Sequence, residues 1–436
     1  MALSLHLAKI NEIYDHSTFR LMWSYLDWEA LQQSNFYQGE QQIQHVVTAV
    51  GQELTRQLLE SKVTSEPTLY HAGQVWYRKA DSAGHYRTLY GSLTVTRPAY
   101  QTSAGGETFC PLEADCQLTF GAATPLLAEI ISFKLSTLSA REVAQELAKT
   151  HGLVLSATFL QQSAQRVGQV AVEKATRWQL TGTDPAPAVT IVATGLDGTT
   201  LPLVGEDYKE AMCGTIALYD KAGQRLTTEY LGTLPEAGKA TCTRLFTCRV
   251  SAVLERYPKA LHVVLADGAS WNWQLLEAQY PAAVWILDFY HAAQHLAAAA
   301  DLLFGPAPGA RKAAWYERWR TVLRDEAGGV ARVIRTLLYS RNRSALSAAA
   351  AQALDPEINY FRRHADKMRY AEYRAAGLPI GSGVTEAGCK ELIKARFCRS
   401  GMRWKRDTAA PILHLRAIRL SNQWDCFWKK VLRYAA

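Results

Sequence analysis

Residues 189–200 read VTIVATGLDGTT, an apolar run rich in β-branched residues that delivers one carboxylate, Asp197, ahead of a glycine. A run of this kind predicts a buried strand. Its end is where an α/β sheet hands side chains to an open crevice. Residues 261–268, LHVVLADG, repeat the arrangement with Asp267. Two strand-end aspartates form a candidate metal site, although an aspartate after a strand also serves as a turn or cap residue.

Working outward, residues 210–219 and 225–234 are two more β-rich runs around the turn DKAG, and residues 238–257 have a helical pattern. After the Asp267 strand come a short helix over 271–278 and a fifth apolar run, 283–287, ending in Asp288. Three strands, helix, strand, helix, strand is the order of a ribonuclease-H-like α/β core. One motif is a decoy. GTLPEAGK, residues 232–239, resembles a phosphate-binding P-loop, but five residues separate its glycines instead of four, and Ala240 stands where a metal-binding hydroxyl is required.

The carboxylates define the chemistry. Two divalent ions about 3.5–4 Å apart serve in-line displacement at phosphorus, activating the attacking oxygen and stabilising the leaving one. Mg²⁺, with Mn²⁺ as a substitute, takes hard oxygen ligands, so three acids converging from different elements suffice. The third acid belongs on a later helix against the sheet. In LPIGSGVTEAGCKELIKARF a glycine-rich turn releases a helix from about Val384, with Glu386 in its first turn. Glu391 lies roughly 140° further round that helix and is the weaker candidate.

The chain has 436 residues, 48% hydrophobic and 20% charged, which fits a globular protein of roughly two to four domains. Its formal charge of +8 favours a polyanionic partner without requiring one. Eight cysteines show no CxxC pair, and the first residues show no leader pattern, so a reduced, cytoplasmic setting is expected, with no membrane span.

Six segments follow from the patterns. Residues 1–66 are helical, for packing or dimerisation. Residues 67–120 alternate apolar and polar around a turn expected at DSAG, a small β-meander whose Arg78, Lys79, Arg87 and Arg97 among Trp76, Tyr77 and Tyr86 suit either a nucleic-acid surface or ordinary strands. In 121–182, Ser139 to Glu142 forms a capping-box pattern, and Ser156 can cap a second helix. That pair fits a helix-turn-helix reader presenting Gln162 and Arg166, or any helical hairpin. TGTDPAPA, residues 181–188, is the linker. The core occupies 188–295 and 377–436, split by a helical insertion, 296–376, whose Trp315, Trp319, Leu323, Val330 and Leu337 read as its own core. After Glu386 the chain is locally cationic. Lys390, Lys394, Arg396, Arg399, Arg403, Lys405 and Arg406 are candidate phosphate contacts, and Trp404, Trp424 and Trp428 fit packing better than base stacking.

Taken together, GLDGTT, VLADGASWNW, LDFYHAAQHL and GSGVTEAGCKELIKARFCRSGMRW resemble bacterial insertion-sequence transposases of the DDE type, near the mutator-like branch, from about residue 67 to the end. The resemblance implies that Asp197, Asp267 and Glu386 are the metal-binding catalytic triad. It implies that Asp288 and His291 match a C/D-x-x-H signature beside the site, and that the insertion falls between Asp267 and Glu386. Relatives often carry a CxxC after the meander; this chain has none, so no zinc site is expected. The expected function is cleavage of element ends at terminal inverted repeats and strand transfer to target DNA, by a homodimer assembled on DNA. A structure-selective nuclease and a DNA-binding regulator derived from a transposase are the alternatives.

Overall fold

The computed structural model describes residues 28–118, 120–180, 188–267, 270–342 and 347–435. The chain divides into two compact units, Met1–Val167 with Trp428–Ala436, and Gly168–Phe427. Helical readings before residue 28 and the linker over 181–187 lie outside the described residues. Among the described residues no helix is long and apolar enough to cross a membrane.

In the first unit, α1 (Trp28–Gln33) precedes α2 (Phe36–Glu60), whose start is fixed by the Asn35 side chain accepting from the Gln38 amide. The meander is an antiparallel sheet, β1 (Thr68–His71), β2 (Gln74–Thr88) and β3 (Gly91–Thr102). Its turns are not where composition placed them. β2 runs straight through DSAG, with a register shift between Arg78 and Asp81. The first turn instead uses Ala72 and Gly73, both at positive φ (52° and 78°), as a two-residue hairpin requires. Gly84 belongs to the strand because the Tyr86 hydroxyl and Arg97 occupy the space a side chain would need. Next come α3 (Pro111–Asp115), α4 (Pro125–Leu135), α5 (Ala140–His151) and α6 (Ala157–Lys174), the last continuing into the second unit. The Ser139–Glu142 capping box is formed, Gly152 closes α5 at φ 67°, and Ser156 Oγ accepts from the Phe159 amide at 3.2 Å.

The second unit is built on a five-stranded mixed sheet in the order β6-β5-β4-β7-β8, comprising β4 (Ile191–Leu203), β5 (Asp207–Tyr219), β6 (Arg225–Thr233), β7 (Leu261–Ala266) and β8 (Val284–Leu287). β4, β5 and β6 pair antiparallel; β7 and β8 run parallel to β4. Between and after them lie α7 (Ala240–Arg256), α8 (Ser270–Gln279) and α9 (Phe289–Phe304).

Strand periodicity sorts the core. Val192, Leu196, Ile216 and Val264 pack with Leu245, Phe246 and Val250 of α7 on one face. Ile191, Ala193, Val263 and Leu265 pack on the other with α9 and the insertion. The insertion comprises α10 (Ala310–Asp325), α11 (Gly329–Arg341), α12 (Ala348–Ala353), α13 (Asp355–Arg363) and α14 (Tyr370–Ala375). Leu323, Val330 and Leu337 are buried there, with Trp315 and Trp319 packed against them, so these residues are core. The chain then returns through α15 (Gly383–Gly388), a π-helical turn over Cys389–Lys394, α16 (Arg406–Leu420) and α17 (Trp424–Ala435). Trp424 and Trp428 are buried.

Candidate functional site

Asp197 shares its face of β4 with Ile191, Ala193 and Gly195, the face that looks toward α9 and the insertion. The sequence places it at a strand end, and that is half right. β4 continues to Leu203 because β5 follows it that far, placing Asp197 mid-strand opposite Cys213. On the other side the parallel ladder stops with Gly195 opposite Leu265. Asp197 therefore sits where β4 has lost its β7 neighbour. Asp267 lies two residues past Leu265, just beyond β7, as Asp197 lies two past Gly195. Each acid thus lies two residues beyond the last paired position of the β4–β7 ladder.

Glu386 is carried to this edge by α15, and small residues allow the approach. Thr385 Oγ1 meets Thr215 Oγ1 at 2.7 Å, both residues buried. A Cβ on Gly195 would collide with the Thr385 hydroxyl, and one on Gly388 would stand 2.9 Å from Cys213 Sγ. One helical turn after Glu386, the Cys389 thiol donates to Asp197 Oδ2 at 3.5 Å. Asp197 Oδ1 accepts from the Gly198 amide at 2.7 Å.

Burial pushes the Asp197 carboxyl above its ordinary range. The Gly198 amide and Cys389 thiol pull it back, and the like charges of Asp267 and Glu386 push it up again. Asp197 thus feels the charge of both other acids, and that repulsion favours a cation beside it. An oxygen donor set of three carboxylates suits Mg²⁺ or Mn²⁺. Among the described residues no three acidic, histidine or cysteine side chains are closed around a common point as a ready cage.

Asp288 is fully buried and caps α9, its Oδ1 accepting from the Tyr290 amide at 2.9 Å. Its own N–H donates to the Ala266 carbonyl at 2.9 Å, next to Asp267. Its Oδ2 accepts from Ser382 Oγ at 2.6 Å, and the same hydroxyl lies 3.4 Å from Glu386 Oε1. His291 stands 5.3 Å from the His295 ring, and His295 stacks on Tyr360 while bonding Glu357 at 2.8 Å. Sequence reasoning misses Cys389 and Ser382. Their only signal is proximity to Glu386, three residues one way and four the other.

The cationic residues after Glu386 fall into two groups. Lys390, Lys394, Arg399, Arg403 and Lys405 are exposed. Arg396 departs from the expected surface role: it is 3% exposed, its guanidinium 4.8 Å from the Trp404 ring, beside Met402. Arg406 is held by Glu206 through two 2.7 Å bonds and by the Pro235 carbonyl. The π-helical turn also corrects the reading of a uniform helix through Glu391, whose carbonyl accepts from buried Arg416 at 2.8 Å. In the first unit, Gln162 and Arg166 are exposed and four residues apart on α6, one turn of the same helix face. No family model matches the chain, and no curated protein matches it.

Proposed function

We propose that this protein is a DNA transposase of the DDE type, cutting element ends at their terminal inverted repeats and joining the freed 3′ hydroxyl to target DNA at the same site. The observation that carries the reading is that Asp197 and Asp267 each lie two residues past the last β4–β7 pair, with Glu386 brought over the same sheet face by α15. The strand order supports a ribonuclease-H-like core: three antiparallel strands, then two parallel to the first on its other side.

Asp197, Asp267 and Glu386 would hold two divalent ions, Mg²⁺ or Mn²⁺, which when bound activate the attacking oxygen and stabilise the leaving one. Asp197 is raised by burial and by the like charges beside it, so a bound cation would offset the repulsion it feels. Gly198 N–H fixes one of its oxygens, and Cys389 S–H orients the other. Lys390, Lys394, Arg399, Arg403 and Lys405 would neutralise backbone phosphates along the duplex. Gln162 and Arg166 would face a groove. Two ends per reaction make a homodimer on DNA the expected assembly, in a cytoplasmic setting.

The test is a duplex bearing an element end, incubated with Mg²⁺ and target DNA. Asp197→Ala should abolish cleavage and joining while leaving binding nearly intact. Cleavage without joining by the wild type would make it a nuclease. DNA binding with no metal-dependent activity would make it a regulator.

A further inference from the structure

Glu386 lies in the first turn of α15, which runs on unbroken through the π-helical turn to Phe397; first-turn amides have no partners within the helix, so what lies just ahead of it sets this turn. A serine at the residue before a helix ordinarily turns its hydroxyl onto the helix's own amides. Ser382 does not. It occupies that place with no side-chain bond to the helix's backbone amides, and its backbone carbonyl accepts from the Thr385 and Glu386 amides instead. The hydroxyl reaches 94 residues back along the chain to Asp288 Oδ2, at 2.6 Å. A buried carboxylate such as Asp288 must have its lone pairs satisfied, and Ser382 supplies one donor while the Tyr290 amide supplies the other. The loop is drawn down by a second bond, from the Phe289 amide to the Ile380 carbonyl at 2.9 Å. Gly381 lets it pass over the Tyr290 ring, 2.8 Å from where a Cβ would stand. Asp288 also ties the Ala266 carbonyl, one residue before Asp267.

We infer that Asp288 and Ser382 form a latch that sets the position of Glu386 relative to Asp197 and Asp267, making both positioning residues for cation binding. The inference rests on the reading of the three acids as the cation site. Ser382 Oγ has one proton and two carboxylate acceptors; the 2.6 Å bond to Asp288 Oδ2 takes most of it, and the long 3.4 Å contact holds Glu386 Oε1 weakly enough to leave its lone pairs for a metal.

The test uses the full chain, with Mn²⁺ binding followed by electron paramagnetic resonance and amide exchange followed over residues 383–389. The wild type should bind Mn²⁺, and Asp197→Ala should lose that binding. Ser382→Ala should speed exchange over 383–389 relative to β4 and weaken Mn²⁺ about tenfold, the lower end for a lost outer partner of a metal ligand. Ser382→Thr, which keeps the hydroxyl, should restore both. Unchanged exchange in Ser382→Ala overturns the latch. Faster exchange with unchanged Mn²⁺ affinity overturns the positioning role while leaving the cation site standing. Absence of Asp197-dependent Mn²⁺ binding in the wild type overturns the cation site itself, and the positioning role with it, before any Ser382 variant is compared.

Discussion

The Thr385 hydroxyl lies 2.7 Å from that of Thr215, a buried bond that seats α15 on the sheet directly above Gly195. The seat exists because Gly195 has no side chain. A methyl there would meet Thr385 Oγ1 and stand 3.2 Å from the Leu265 carbonyl, neither a yielding chain end. Gly195→Ala should therefore cost about 1–3 kcal/mol by overpacking and lift Glu386 away from Asp197. Gly309→Ala, where an added Cβ meets nothing and only the cap of α10 is weakened, should cost less, at most about 1 kcal/mol. Denaturant midpoints of the two variants decide the matter. Equal midpoints would mean that α15 is not closely seated.

Asp197 carries a signature in pH. Its folded carboxyl is raised above the ordinary range, so between that range and the raised value the folded state keeps a proton that the unfolded state has lost. Stability of the cation-free protein should fall as pH rises through this window and level off above it. Asp197→Asn removes the charge, so its cation-free melting midpoint should show less of that fall and exceed the wild type's at neutral pH. Added Mg²⁺ should raise the wild-type midpoint and leave Asp197→Asn nearly unmoved, and a chelator should reverse the gain. Melting curves with and without chelator, from acid to neutral pH, measure all of these.

Much of the second unit is legible in the sequence because its strands are buried on both faces and read as continuous apolar runs; 261–266 and 284–287 could hardly be anything else. Asp197 is harder. Nothing in VTIVATGLDGTT tells that β5 keeps pace to Leu203, because that is a property of the partner strand. DSAG misleads for the opposite reason: its composition is that of a turn, but the room at Gly84 is filled by Tyr86 and Arg97. The bond from Cys389 to Asp197 spans 192 residues, and no local pattern encodes such a meeting.

Ser139 is readable as a cap because its partner, Glu142, is three residues away, and both reciprocal bonds are present. Ser139→Ala should cost about 1 kcal/mol. Exchange at the Glu142 amide should rise while amides of α6 change little. A cost near zero would show that α5 is held by its buried face, through Val143 and Leu147, more than by its cap.

The basic segment after Glu386 should split by burial. Arg416 donates to the Glu391 and Leu392 carbonyls inside the π-helical turn, so Arg416→Met strands buried acceptors and should cost about 1–3 kcal/mol. Arg396→Met loses a desolvated stacking on Trp404, worth about 1–2 kcal/mol. Neither residue can reach a phosphate from its buried place, so the salt dependence of DNA binding by the folded variants should match the wild type. Lys390, Lys394, Arg403 and Lys405 are exposed. Replacing one of them by alanine should leave the melting midpoint alone and reduce the slope of log affinity against log salt by about 1 for each phosphate left without its cation. Titrations at several salt concentrations, run beside thermal melts, separate the groups. If a lysine variant changes stability and not the slope, that lysine belongs with the fold and is no part of the proposed phosphate contacts.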